Sequence, residues 1–250
     1  MSQSFPKLVA HRGYALRYPE NTLLAIQAAV EAGARFIEFD VLMSSDLVPV
    51  LFHDRDLIRM CGKEGTIHDY TLSQLKTFSV SEFHKFGYKF FGNPITSLAE
   101  ITQYLSGCQD ITVFVEIKRQ ALQHFGIDTV IEKILRELEV IHNQVVIISY
   151  SLEALSKVRE ISDYPVAAVF DNWTERKSSL IHELKPEYLF TDIDQLPRFG
   201  KLEYPQSKLA VYECTDPEKA VKVHQRGIEF VETFAIAEML HSFRMMSERV

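Results

Sequence analysis

Short apolar runs alternate with longer amphipathic stretches along the chain, and this rhythm restricts the fold more than any other feature. The apolar runs are Leu8–Arg12, Phe36–Val41, Thr112–Lys118, Val145–Tyr150, Val166–Phe170, Tyr188–Thr191, Leu209–Cys214 and Ile228–Thr233. Helical periodicity covers Thr22–Ala32, Ile127–Val140, Leu152–Ile161, Glu175–Leu184 and Pro217–Arg226. Strand–helix alternation implies parallel strands joined by crossover helices. Eight such units in 250 residues point to an α/β fold, a closed (β/α)8 TIM barrel forming a single domain over residues 1–250. An open doubly wound sheet shares the rhythm, but the G-x-G-x-x-G signature of a dinucleotide site is absent.

Val48–His53 reads as one more strand. Only about six residues separate it from Phe36–Val41, whereas a parallel crossover needs about a dozen or more. It is therefore expected to run back antiparallel, as a β-hairpin on the second strand. A turn centred on Asp46 and Leu47 sets Asp40 opposite His53. Residues 54–110 also break the rhythm and read as a long excursion at the barrel mouth, with short helices at Thr71–Phe78 and Ser97–Leu105. The aromatic side chains between Phe83 and Phe91 read as packing or as a lid.

Charged residues on strands of such a barrel demand explanation, because its interior is packed with branched apolar side chains. His11 and Arg12 end the first strand; Glu38 and Asp40 end the second. His53 and Asp54 end the hairpin return, and Glu116 and Lys118 end the next barrel strand. The i, i+2 spacing puts Glu38 and Asp40 on one face, and likewise Glu116 and Lys118. Carboxyl ends of strands form the face on which barrel active sites are built. Three carboxylates in one cleft repel one another, and a hard divalent cation removes the conflict. Glu38, Asp40 and Glu116 make an oxygen-rich set suited to Mg²⁺ or Ca²⁺, without the soft ligation expected of zinc. Arg12 and Lys118 bring positive charge suited to a phosphoryl group. His11 and His53 can trade a proton, one as base and one as acid. Together these groups describe a metal-assisted phosphodiester cleavage site.

Taken singly, each residue has an ordinary role: a strand-end carboxylate as a cap, Lys118 as the neutraliser of Glu116, a histidine as a satisfied surface group. The convergence on several strands of one barrel is what favours a site. The net charge of −7 argues against nucleic acid as a partner, because phosphate neutralisation needs a basic face. Cys61, Cys108 and Cys214 are far apart and odd in number, so neither a disulfide framework nor a zinc knuckle is expected. No cationic-then-apolar leader opens the sequence, and no apolar run approaches the ~20 residues of a membrane helix. A cytoplasmic location without stable membrane insertion is the expectation.

At these residues the chain resembles the glycerophosphodiester phosphodiesterase family. Val9-Ala10-His11-Arg12-Gly13 matches that family's opening strand, and Pro19-Glu20-Asn21-Thr22 its P-E-N-T element. Glu38-Phe39-Asp40-Val41 matches E-x-D-V, and Phe52-His53-Asp54, with Leu57 and Arg59 following, matches the H-D element. The stretch Gly65 to Leu75, then Ile95-Thr96-Ser97-Leu98-Ala99-Glu100, Val115-Glu116-Ile117-Lys118 and Ile147–Tyr150 continue the similarity. The resemblance implies a barrel that hydrolyses glycerophosphodiesters to glycerol 3-phosphate and an alcohol. It implies one divalent cation on Glu38, Asp40 and Glu116, acid–base work by His11 and His53, and phosphate contact by Arg12 and Lys118. Glu20, Tyr150, Tyr212, Glu213 and Glu232 are further candidates for contact with the substrate or with the site. Three departures stand out. Leu47 replaces the usual hairpin glycine, so a differently built turn is expected. The W-T-V-N element appears as Tyr212-Glu213-Cys214-Thr215, and the closing I-x-T-D element as Val231-Glu232-Thr233-Phe234.

Two rivals remain. A phospholipase-type enzyme acting on membrane lipids is disfavoured by the lack of a basic amphipathic stretch. A non-catalytic barrel that binds a phosphorylated metabolite has no use for an acid–base pair.

Overall fold

A computed structural model describes residues 4–248, in which eight parallel strands close into a ring. The strands are β1 (Lys7–Ala10), β2 (Phe36–Met43), β3 (Pro49–Leu51), β4 (Thr112–Ile117), β5 (Val145–Ser149), β6 (Val166–Phe170), β7 (Tyr188–Asp192), β8 (Lys208–Tyr212) and β9 (Phe230–Thr233). Every strand except β3 belongs to the ring, which closes where β1 pairs with both β2 and β9. β3 pairs antiparallel with β2 outside it. The predicted barrel, hairpin and excursion are all present.

The strand period of two sorts the side chains into an inside and an outside. Val9, Phe114, Val146, Ile148, Ala167, Val169, Tyr188, Phe190, Ala210 and Phe230 fill the ring. Phe114, Phe190 and Phe230 are fully buried there, each worth about 1.5–3 kcal/mol of transfer free energy. The alternate residues, such as Ile37, Phe39, Val113, Val115 and Ile147, join a second apolar layer with the helices. One step of two further along each strand, the interior turns polar: His11 follows Val9, Glu116 follows Phe114, Tyr150 follows Ile148, Tyr212 follows Ala210 and Glu232 follows Phe230. The apolar plug therefore forms the floor beneath a ring of polar groups.

Two expectations about β3 change. Val41 pairs with Leu51 and Leu42 with Val50, and the Phe52 N–H donates to the Asp40 carbonyl at 3.1 Å. Asp40 is thus opposite Phe52, not His53. The cause is the turn: Ser44 N–H donates to Val48 O and Leu47 N–H to Ser44 O, both at 3.0 Å, leaving a loop of Ser45, Asp46 and Leu47. A three-residue hairpin loop needs a left-handed third residue, and Leu47 takes that conformation at φ 60°. The turn is thus built on the usual backbone despite lacking the glycine.

Helix boundaries follow caps. Thr22 accepts from Ala25 N–H ahead of Leu23–Glu31, and Ser97 caps Leu98–Leu105 with a reciprocal bond from Glu100. The predicted helix Glu175–Leu184 is broken, because Ser178 caps a new helix, Ser179–Leu184, behind a 3-10 segment, Trp173–Lys177. The expected Thr71–Phe78 helix shrinks to Leu72–Leu75. Four further helices escaped the periodicity: the one-turn Ile58–Cys61 and Phe83–Phe86, and the longer Arg119–Phe125 and Ile236–Ser247. Gly13 lets the turn after β1 lie against Leu23–Glu31: a Cβ there, at φ +80°, would stand 2.7 Å from the Ala25 carbonyl carbon.

Candidate active site

Barrel register brings the strand-end carboxylates together. Asp40 and Glu116 are direct neighbours in the β2–β4 ladder, with Glu38 one inward position below Asp40. One oxygen from each of Glu38, Asp40 and Glu116 lies within 4.8 Å of the others. Glu38 and Asp40 are each 1% exposed, too buried for water to screen their repulsion. Burial, then the charges of Asp40, Glu232 and Glu116, push the Glu38 carboxyl well above its ordinary range. Burial and the same repulsion raise Glu116 against the pull of Lys118. Burial opposes ionisation of Asp40 too, but Lys118 and Arg12 overcome it and hold that carboxyl low. Glu38 Oε1 is buried with no hydrogen-bond partner among the described residues. A carboxylate that clusters with two others and keeps an unpartnered oxygen fits a hard, oxygen-seeking divalent cation.

The cations form a chain around these acids. Lys118 Nζ is 2.7 Å from Glu116 and 3.0 Å from Asp40. Arg12 Nε is 3.2 Å from Asp40, and its Nη1 donates to Glu20 at 2.9 Å. Glu20 also accepts from Arg59 Nη2 at 2.7 Å. Arg59 Nε in turn donates to Asp54 at 2.6 Å, and Asp54 meets His53 Nδ1 at 2.7 Å. The Arg12 backbone N–H donates to Glu38 Oε2 at 3.0 Å, from a left-handed residue at φ 56°. Asn21, also left-handed at φ 55°, bonds Asp40 with its side chain.

His11 is buried and stacks on Phe234, with ring centroids 4.6 Å apart and planes 9° from parallel. Its Nδ1 is 3.0 Å from Glu213 Oε2. Its Nε2 stands 3.8 Å from Glu38 and 4.0 Å from Glu232. Burial, reinforced by Arg12, lowers the imidazole well below its usual value. His11, Arg12, His53, Glu116, Lys118, Tyr150, Tyr212 and Glu232 all line one cavity of about 130 Å³, floored by Ile148, Val169 and Phe190. Tyr150 and Tyr212 close its far side, their hydroxyls 2.6 Å apart.

Every residue proposed from the sequence thus reaches this cavity or its immediate partners. Four contributors lie outside the predicted set: Asn21, Arg59 and Phe234, which stand only within motifs, and Asp54, a strand-end charge with no role assigned to it. Asp54 and Arg59 lie beside His53 in the chain, and their charge was the available signal. Nothing local marked Phe234 as the ring beneath His11.

The Glycerophosphoryl diester phosphodiesterase family pattern matches residues 11–231, spanning all of these groups. The chain belongs to this family. It is 34% identical over 157 residues to a glycerophosphodiester phosphodiesterase of Caldanaerobacter subterraneus subsp. tengcongensis, covering 63% of each chain. It is 31% identical over 183 residues to rat glycerophosphodiester phosphodiesterase 1, covering 72% of this chain and 53% of the rat protein. These matches span less than two thirds of the relatives' own length. Two solved structures share the fold. The glycerophosphodiester phosphodiesterase of Thermotoga maritima superposes with TM-score 0.74 at 24% identity, covering 96% of this chain and 99% of that one. An Oleispira antarctica phosphodiesterase in complex with the product sn-glycerol-3-phosphate gives 0.79 at 21% identity, covering 96% and 97%. The barrel is thus the family barrel, and no described helix is long and apolar enough to cross a membrane.

Proposed function

We propose that this chain, acting as one barrel unit, hydrolyses small glycerophosphodiesters to glycerol 3-phosphate and an alcohol, with one divalent cation, Mg²⁺ or Ca²⁺. The observation that carries this reading is the convergence of Glu38, Asp40 and Glu116 within 4.8 Å, beside two histidines and two cations that line one cavity. Glu38, Asp40 and Glu116 are the ligands. A bound cation supplies Lewis-acid polarisation of the phosphoryl group and a lowered pKa for an attacking oxygen. Arg12 and Lys118 donate to the non-bridging oxygens as charge builds in the transition state. His11 and His53 divide the proton work. A new P–O bond forms to the attacking oxygen, whose proton passes to one imidazole; the P–O bond to the alcohol breaks, and that oxygen takes a proton from the other. The attacker is water or the neighbouring glycerol hydroxyl, which is already positioned. In the second case a cyclic phosphate precedes glycerol 3-phosphate.

Incubation with glycerophosphocholine and Mg²⁺ or Ca²⁺, followed by assay of glycerol 3-phosphate, tests this reading. No product with either ion, from folded protein, would reject it.

One observation favours a lipid substrate, acylated on its glycerol, as a second reading, that of a phospholipase-type phosphodiesterase. Phe83, Tyr88 and Phe91 are exposed at 48%, 77% and 75%, on the excursion tied to the loop after β1 by Lys85 Nζ donating to Ala15 O. Such rings suit contact with acyl chains. Comparing lysophosphatidylcholine with glycerophosphocholine as substrates separates the two.

A further inference from the structure

Both site histidines are backed by a carboxylate at Nδ1, but only one of those carboxylates is a sequence neighbour. His53 has Asp54 at 2.7 Å. His11 has Glu213 at 3.0 Å, from the segment after β8 and 202 positions along the chain. Glu213 stands where the resembling motif carries Thr, and Phe234, beneath the His11 ring, where it carries Asp.

The Glu213 carboxylate is fixed at both oxygens. The Phe234 backbone N–H donates to Oε1 at 3.1 Å, which leaves Oε2 to face His11 Nδ1. The stacked Phe234 ring restrains the imidazole plane. On the other side of the ring, Nε2 makes no hydrogen bond among the described residues and stands 3.8 Å and 4.0 Å from Glu38 and Glu232. A neutral imidazole carries one proton, and the hydrogen bond made by one nitrogen decides the state of the other.

We infer that Glu213 is a positioning residue that holds His11 as its Nδ1–H tautomer, so that the unprotonated Nε2 faces the cavity as the proton acceptor of the reaction. The assignment of a reaction step rests on the proposed phosphodiesterase activity. The tautomer itself does not. In that step the attacking hydroxyl gives its proton to Nε2, the Nδ1 proton stays in place, and the imidazolium charge is balanced by Glu213. His53 is left to protonate the departing alkoxide. Burial raises the Glu213 carboxyl to about 7, so the ionised acceptor is the form present above that pH.

The test uses the full chain labelled with ¹⁵N in its histidine rings, at pH 8 and without added metal. His11 is assigned by its disappearance in His11→Gln. The ring-nitrogen shifts should show a protonated Nδ1 and an unprotonated Nε2. In Glu213→Gln the amide oxygen must still accept from Phe234 N–H, so the amide NH₂ turns toward Nδ1. A donor there forces the Nε2–H tautomer, and the shifts should invert. Glycerophosphocholine turnover in the same variant should fall by about 10²–10⁴-fold in kcat, the worth of a proton-transfer group, with KM changed less than about threefold. An Nε2–H imidazole in the parent chain, or an unchanged tautomer in Glu213→Gln, overturns the inference. An inverted tautomer with undiminished kcat removes the base role. If the parent chain turns over no glycerophosphodiester, the proposed reaction fails and the nitrogen shifts still decide the tautomer.

Discussion

Asn21 and Asp40 hold each other at both ends of one side chain. Asn21 Nδ2 donates to Asp40 Oδ2 at 2.8 Å, and the Asp40 backbone N–H donates to Asn21 Oδ1 at 3.0 Å. The pair locks the loop after β1 to the middle of β2. It also leaves Asp40 Oδ1 turned toward Lys118, 3.0 Å away. Replacing Asn21 by Ala strands a buried backbone N–H and places a less tolerant residue at φ 55°. We expect a loss of about 1–3 kcal/mol in urea denaturation, the penalty for an unsatisfied buried group, together with weaker cation binding. Unchanged stability would show that water replaces the amide.

The carboxylate triad should bind a cation measurably without substrate. Calorimetric titration of Mg²⁺ or Ca²⁺ into metal-free protein should show one site, and Glu38→Gln, Asp40→Asn and Glu116→Gln should each weaken it. EDTA should abolish turnover and either ion restore it. Full activity in a metal-free preparation would remove the cation from the reaction.

Loss of either histidine should act on kcat. His11→Ala and His53→Ala are each expected to reduce it by about 10²–10⁴-fold while the fold survives. The parent pH–rate profile should be bell-shaped, each variant losing one limb. Retention of both limbs by His53→Ala would leave His53 as only a partner of Asp54.

Arg12 and Lys118 carry a separate expectation. Each is paired with carboxylates, and each faces the cavity. Arg12→Ala and Lys118→Ala should lower kcat by roughly 10²-fold or more, the scale of one lost transition-state donor. Near-parental turnover in both would reassign them to neutralising the acids around them.

Glu213 gives stability a pH dependence of known sign. Burial raises its folded-state pKa from 4.5 to about 7. A raised carboxyl binds more protons folded than unfolded, so its contribution is complete below the unfolded pKa and is lost as pH rises through about 7. Glu213→Gln removes the titration. The variant should gain on the parent between pH 5 and pH 8, by on the order of 2–3 kcal/mol, read from paired thermal melts. A stability difference that stays flat over that range would show that the carboxyl ionises normally.

The barrel and most of the candidate site are legible in the sequence. Strand period and helix period are local properties of the chain, and their alternation left few closed architectures. Charges at i and i+2 on buried strands broke the apolar pattern, so His11, Glu38, Asp40, Glu116 and Lys118 were legible where they stood. What tertiary structure alone decided was which groups meet across the ring. The hairpin register turned on Leu47 accepting a left-handed backbone, and a shift of one residue moved Asp40 from His53 to Phe52. Glu213 and Phe234 reach His11 because β1 and β9 are neighbours only after the barrel closes. Closure pairs the first strand with the last, and a contact of that kind leaves no periodic trace in the sequence near either partner.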